Sequence, residues 1–237
     1  MSDLKIISKS FNETLKDSEL QNVTIELAEA FADNLINDGL LKEIPIIGTI
    51  IGLTKSTINL VDRLFLKKIL YFLTEIKSIE PHKREKLISD IENSEKCKIK
   101  VGEKLLYIID KCEDHISAIF VAKLFSAFLK EEVSYKDFLR GSLVIEKIFI
   151  EDFEEFIKTD SKNIEKIVTK YDTISELQIN LINAGICGMI TNDVSVRDQD
   201  DWDQSEKYVV EGGNTEIYYT DIGYKLKKVL TKKCLNL

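Results

Sequence analysis

A chain of 237 residues, 31% of them charged and with a net charge of −8, is long enough to bury about 70% of its extended surface in a real core. Its four cysteines (Cys97, Cys112, Cys187, Cys234) form no C-x-x-C pair, and its two histidines (His82, His115) do not stand at metal-ligand spacing. A disulfide framework and a zinc site are therefore excluded, and a reducing, cytoplasmic setting is expected.

The opening MSDLKIISKSFNETLKD lacks a basic n-region, a long apolar run and a small-residue cleavage site, so no secretory signal is expected. A short helix is predicted there. A longer one follows from about Ser18 to Asp38 on the spacing of Leu27, Phe31 and Leu35, with Gly39 as its C-cap. Next comes IPIIGTIIGLTKSTINLV, Ile44 to Val61, carrying a single charge, Lys55. Its uncharged part, Ile44 to Thr54, is shorter than the roughly 20 apolar residues a membrane span requires. The segment reads either as a helix buried in an assembly or as one stored there and released into a bilayer. Pro45 suits a first helical turn, and Gly48 and Gly52 form a G-x-x-x-G pair that permits close helix approach. Apolar residues then recur from Ile47 to Ile76, predicting one helix of about 30 residues and roughly 45 Å. Pro81 opens another helix, and further ones are predicted at Val101–Lys111, Asp114–Lys130, Ser134–Ile148 and Glu151–Lys158, with Ser134 as an N-cap three residues before Asp137.

Beyond residue 160 the pattern changes. Thr173 and Glu176 have capping-box spacing ahead of a helix that Gly185 closes. Short strands are predicted at Ile186–Val194, Lys207–Val210 and Glu216–Tyr219, with Gly212-Gly213-Asn214 as the turn between the last two. Thr220-Asp221 then caps a helix over Ile222–Lys232. The fold class expected is mainly α: a multi-helix domain over 1–160 with one long helix, followed over 161–237 by a small α+β winged-helix-like module.

Charge separates the two parts. Between Asn192 and Asp221 lie nine acids (Asp193, Asp198, Asp200, Asp201, Asp203, Glu206, Glu211, Glu216, Asp221) against Arg197 and Lys207, a local net of −7. Duplex DNA binding requires cations against phosphate, and the module's second helix, ISELQINLINA, has none, so no specific duplex DNA is expected as a partner. The run Asp198 to Asp203 has carboxylates at calcium-loop spacing but lacks the glycine at the sixth position and the glutamate at the twelfth. It reads as an exposed acidic loop. Within it Trp202, flanked by Asp201 and Asp203, is either an anchor for a protein partner or a ring buried against the module. The basic run Lys225, Lys227, Lys228, Lys232 and Lys233 either complements this loop within a dimer or forms a solvated face.

Arg63, Lys67 and Lys68 at one helix end and Lys83 and Arg84 at the start of the next would meet across an antiparallel turn. Such a surface would take anionic lipid headgroups, a nucleotide or an oligonucleotide. The alternative is solubilising charge interleaved with Glu75, Glu80 and Glu85. No phosphate-cradling glycine loop and no G-x-S-x-G occur, so no catalytic residue, metal or cofactor is assigned.

The P-x-x-G-x-x-x-G start at Pro45, the stretch AIFVAKLFSAFLKEEVSYKDFLR (Ala118 to Arg140) and the ending LINAGI … IYYTDIGYKLKKVL (Leu181 to Leu230), with a Y-x-T-x-x-G element at Tyr218 to Gly223, together resemble the Abi-alpha type of bacterial abortive-infection protein. The resemblance implies a helical body with a winged-helix-like tail. It also implies a cytosol-stored phage-defence effector that damages the cell membrane and is held inactive by a ligand or partner. Two readings stand. One is a homo-oligomeric effector that associates with the inner membrane on activation. The other is a regulator or adaptor whose long helix is an oligomerisation core and whose tail docks a protein.

Overall fold

The computed structural model describes residues 2–18, 20, 23–32, 43–53, 60–94, 99–169, 172–198 and 208–234. The chain divides into two compact units, Met1–Glu146 and Lys147–Asn236.

The first unit is helical: α1 (Ser2–Lys16), α2 (Ile25–Ala32), α3 (Pro45–Leu53), α4 (Leu60–Ile76), α5 (Pro81–Glu92), α6 (Val101–Lys111), α7 (His115–Leu129) and α8 (Tyr135–Lys147). Its centre is α7, whose sequence HISAIFVAKLFSAFL is apolar on nearly every side and is correspondingly buried from Phe120 through Leu129. Asp114 starts that helix by accepting from the Ser117 N–H at 2.8 Å. α7 packs chiefly on α4. A run of rings, Phe11, Phe72, Phe125 and Phe138, with centroids 6.1, 5.8 and 5.2 Å apart, then threads α1, α4, α7 and α8 into one core. α6 approaches α1 closely at Gly102, where a Cβ would stand 3.0 Å from the Ser8 carbonyl oxygen.

Pro81 and Ser134 start helices as their sequence predicts. Ser134 and Asp137 exchange bonds, the Asp137 N–H donating to Ser134 Oγ at 3.1 Å and the Ser134 hydroxyl donating back to Asp137 Oδ2 at 2.7 Å. One boundary differs from the reading. The helix expected from Ser18 begins at Ile25, because Thr24 accepts from the Leu27 N–H at 3.1 Å and sets the start there. Of the apolar stripe expected as one long helix, the two ends are described, α3 and α4. They pack on different neighbours, α3 on α1 and α4 on α2 and α7, while residues 54–59 and Gly39 lie outside the described residues.

The second unit comprises α9 (Ile150–Lys158), α10 (Ser161–Ile164), β1 (Lys166–Val168), α11 (Glu176–Asn183), β2 (Cys187–Thr191), β3 (Ser195–Asp198), β4 (Tyr208–Glu211), β5 (Thr215–Tyr219) and α12 (Asp221–Cys234). It is a small α+β module in the expected order of helix, helix, hairpin and helix, with β1 added. It begins before residue 161 because α9 packs on α11 and α12. The antiparallel sheet has strand order β1-β5-β2, and β3 pairs with β4.

The register corrects one expectation. Cys187 faces Tyr219 and Ser195 faces Glu211, so β2–β3 and β4–β5 are two lengths of a single ribbon in constant register. The reversal lies between β3 and β4. Gly212-Gly213-Asn214 is instead a kink inside the ribbon, with φ of +89° and +72° at the glycines and the Gly213 N–H donating to the Asn192 carbonyl at 3.1 Å. Positive φ serves an interruption of a ladder as readily as a turn, and the composition does not separate the two. The capping box also moves by two residues: Ser175 and Gln178 form it, because Gln178 is buried and its amide also donates to the Ile164 carbonyl at 2.9 Å. Gly185, at φ +81°, closes α11 as predicted.

Candidate functional site

α3 has three features that fix it. Pro45 stands at its first turn, the Ile44 carbonyl accepts from the Gly48 N–H at 2.9 Å, and Ile46, Ile47 and Ile50 are buried. Burial of three isoleucines holds it with roughly 5–9 kcal/mol, an upper figure for an extended-chain reference. Direction comes from hydroxyls. Thr14 on α1 accepts from the otherwise unpaired Ile46 N–H at 3.0 Å while donating to the Ser10 carbonyl, and the Thr49 hydroxyl meets Ser10 Oγ at 2.8 Å.

The other side of α3 is open. Gly48 and Gly52 face a groove of about 520 Å³ lined also by Ser10, Glu13, Pro45, Thr49 and Ile51. A Cβ at Gly52 would meet nothing within 4 Å, so among the described residues this glycine mediates no close helix contact. Across residues 54–59, the start of α4 exposes Val61 (73%) and Leu64 (52%). Apolar surface therefore flanks both sides of the stretch that contains Lys55, which itself lies outside the described residues. No described helix is long and apolar enough to cross a membrane.

The five cations expected to form one surface do not act together. Arg84 is 1% exposed, and its guanidinium is inside the first unit. Nε donates to the Leu15 carbonyl at 2.8 Å, and the terminal nitrogens donate to the carbonyls of Asp17, Ile76 and Ile79. Those carbonyls end α1 and α4. Two negative helix termini thus receive the guanidinium, and burial lowers its pKa against the opposing charge of Asp17. Lys68 is similarly engaged, its ammonium donating to the carbonyls of Asp110 and Cys112 at the end of α6. The Lys67 ammonium lies 5.7 Å from the Tyr71 ring centre. Arg63 and Lys83 remain half-buried at the surface.

The sequence held a signal for Arg84. A cation in the first turn of α5 opposes that helix's own dipole, which suggests a partner elsewhere. The same device recurs in the second unit: Lys227 donates to the carbonyls of Phe156, Ile157 and Thr159 at the end of α9, and burial lowers its pKa. Tyr71 was also missed. Its hydroxyl donates to Glu29 at 3.2 Å and its ring lies 4.7 Å from that of His115, joining α2, α4 and α7. Burial and Lys67 lower the His115 pKa.

Trp202, Asp201 and Asp203 lie outside the described residues. Among the described residues of the ribbon, Arg197 on β3 binds Glu211 on β4 through two nitrogens at 3.0 and 2.8 Å. The Y-x-T-x-x-G element acquires a physical account. The Thr220 hydroxyl accepts from the Gly223 N–H at 3.1 Å and caps α12, and a Cβ on Gly223 would fall 2.1 Å from the Ile186 carbonyl oxygen. Cys112 and Cys187 are buried, and burial pushes both thiols up to about 12, so they stay protonated. Among the described residues no three His, Cys, Asp or Glu side chains gather as a metal site.

Comparison of the chain with protein-family models, curated proteins and solved structures gives no match.

Proposed function

We propose that the chain is a non-enzymatic phage-defence effector of the abortive-infection kind. It is stored in the cytoplasm as a homo-oligomer and, when activated, acts on the inner membrane through the apolar segment that begins at Pro45. The observation that carries this reading is the two-sidedness of α3. Its isoleucine face is docked on α1 through two directed hydroxyl contacts, while Gly48 and Gly52 face an open groove and the start of α4 exposes Val61 and Leu64. The resemblance of the Pro45, Ala118–Arg140 and Leu181–Leu230 stretches to abortive-infection proteins supports it.

The arithmetic favours a conditional act. α3, nine residues long, measures about 14 Å as a helix against a hydrocarbon core of about 30 Å, so it lies in the interface or acts together with the residues up to α4. Detachment from α1 requires a compensating interaction of several kcal/mol, supplied by a bilayer, by neighbouring copies, or by both. A small-residue face lets copies of the helix approach closely. Lys55 then faces an aqueous lumen or snorkels to the interface, since a charge at the bilayer centre costs roughly 2.5 to 3.5 kcal/mol.

Gly52→Leu tests this cleanly. The change meets open space among the described residues and removes a glycine from a helix, so the folded subunit should keep its stability or gain up to about 1 kcal/mol from helix propensity, read as an equal or higher melting temperature. On the effector reading the same change abolishes toxicity on expression in bacteria or lowers the oligomer mass. Unchanged viability and unchanged mass leave the adaptor reading.

A further inference from the structure

We propose that the outer face of the β1-β5-β2 sheet is a docking surface for a basic, apolar segment of a partner protein. Alternation divides this sheet into a face turned to its own core, bearing Val168, Cys187 and Ile217, and an opposite face that water should make polar. The opposite face is instead apolar. Ile190 on β2, Glu216 on β5 and Ile167 on β1 form one cross-strand row, and the two isoleucines are 54% and 62% exposed. In the next row Tyr218 faces Gly188. The ring lies so close over that glycine that a Cβ there would stand 2.7 Å from Tyr218 Cζ, so the absence of a side chain at Gly188 is what lets the ring lie across the strand.

Charge selects the occupant. Glu216, at the centre of the apolar row, makes no ion pair among the described residues, and Glu165 lies beside Tyr218 along β5, where one of its oxygens accepts from the Tyr219 N–H at 3.1 Å. Between these carboxylates runs a shallow groove of about 300 Å³, bordered by Ile167 and Tyr218 and large enough for a lysine or arginine side chain. Lys166 also lines it, but its ammonium is turned to the Thr173 carbonyl at 3.4 Å, leaving two carboxylates against one engaged cation. In sequence, the stretch from Asn192 to Asp221, Glu216 included, has a net charge of −7. Anionic lipid and nucleic acid are repelled, and a second copy brings the same acids to the same face. A peptide that alternates cations with apolar side chains satisfies both features: its cations meet Glu216 and Glu165, and its apolar groups cover Ile167, Ile190 and Tyr218. This surface is independent of whether α3 acts on a membrane.

The experiment uses the full chain and three labelled twelve-residue peptides, alternating Lys-Val, Lys-Ser and Glu-Val, in anisotropy titrations at about 0.15 M salt. The Lys-Val peptide should bind at least about tenfold more tightly than Lys-Ser, and Glu-Val should not bind. Ile190→Ser, which changes no charge, and Glu216→Lys should each weaken Lys-Val binding by about fivefold or more with an unchanged melting temperature. Equal binding of Lys-Val and Lys-Ser, no binding of Lys-Val, or indifference to both substitutions overturns the proposal. So does a fall in the oligomer mass of Ile190→Ser in light scattering, which would make a second copy the occupant.

Discussion

Arg84 carries the strongest single-residue consequence. Removing its guanidinium leaves carbonyls at the ends of α1 and α4 buried without donors, at about 1–3 kcal/mol for each unsatisfied group. Arg84→Met should therefore destabilise the first unit by at least about 3 kcal/mol in urea unfolding. Arg84→Lys should fall between the two, because a single ammonium cannot reach both helix ends in the geometry of a planar fork. A methionine variant within about 0.5 kcal/mol of the parent would remove Arg84 from the architecture. His115 gives a pH signature. Its folded pKa is lowered by burial and Lys67, so below the unfolded value near 6.5 the unfolded chain takes up a proton that the folded chain refuses. Stability from this site is full above that pH and falls as pH drops toward the folded pKa. The melting temperature of the parent should thus decline more steeply from pH 7.5 to 5 than that of His115→Gln, the carboxylates being common to both. Parallel curves would contradict it.

Among the elements, what was legible followed from local chemistry. Pro81, Ser134, Gly185 and Thr220 mark helix ends by local chemistry, a fixed φ, a hydroxyl cap or the freedom to take positive φ, and each stands where the sequence places it. Features that depend on distant partners were not legible. Thr173 and Ser175 both have capping spacing, and the choice between them is made by the Ile164 carbonyl, which anchors Gln178. Gly212-Gly213 is turn chemistry used inside a ladder, a use visible only once Asn192 is known to lie opposite. Of the candidate site, the isoleucine and glycine faces of α3 could be read from its spacing. For the dispersal of the cations the only local sign was Arg84 opposing the dipole of its own helix, and the carbonyls that receive it, at the ends of α1 and α4, are remote in sequence or on another helix. Two glycines give a test at this scale. Gly223→Ala puts a Cβ 2.1 Å from a backbone oxygen, and Gly212→Ala, at φ +89°, puts one 1.9 Å from the Asp193 carbonyl oxygen. Neither obstacle is a flexible side chain, so each substitution should destabilise the second unit by about 1–3 kcal/mol or more, read as a lowered denaturation midpoint. Midpoints equal to the parent's would show that the ribbon and α12 shift freely.

At the scale of the whole molecule, the charge distribution makes a further statement. The exposed positions of α11, Glu176, Ile179 and Asn183, carry no cation, and the sequence from Asn192 to Asp221 has a net charge of −7. The full chain should not bind duplex DNA appreciably at physiological salt, and micromolar, salt-sensitive binding would overturn that. The helix ends finished by remote cations have a consequence for synthesis. The last turn of α1 waits for Arg84, 69 residues after Leu15. At about 5–20 residues per second the ribosome needs roughly 3 to 14 s to supply it, and until then those carbonyls are held by water alone. α9 waits similarly for Lys227, 71 residues beyond Phe156. Each unit's first helix is thus left open-ended on the nascent chain and is closed by a late arrival. Pulse-labelled amide exchange on stalled chains should show the C-terminal turn of α1 unprotected until α5 has emerged.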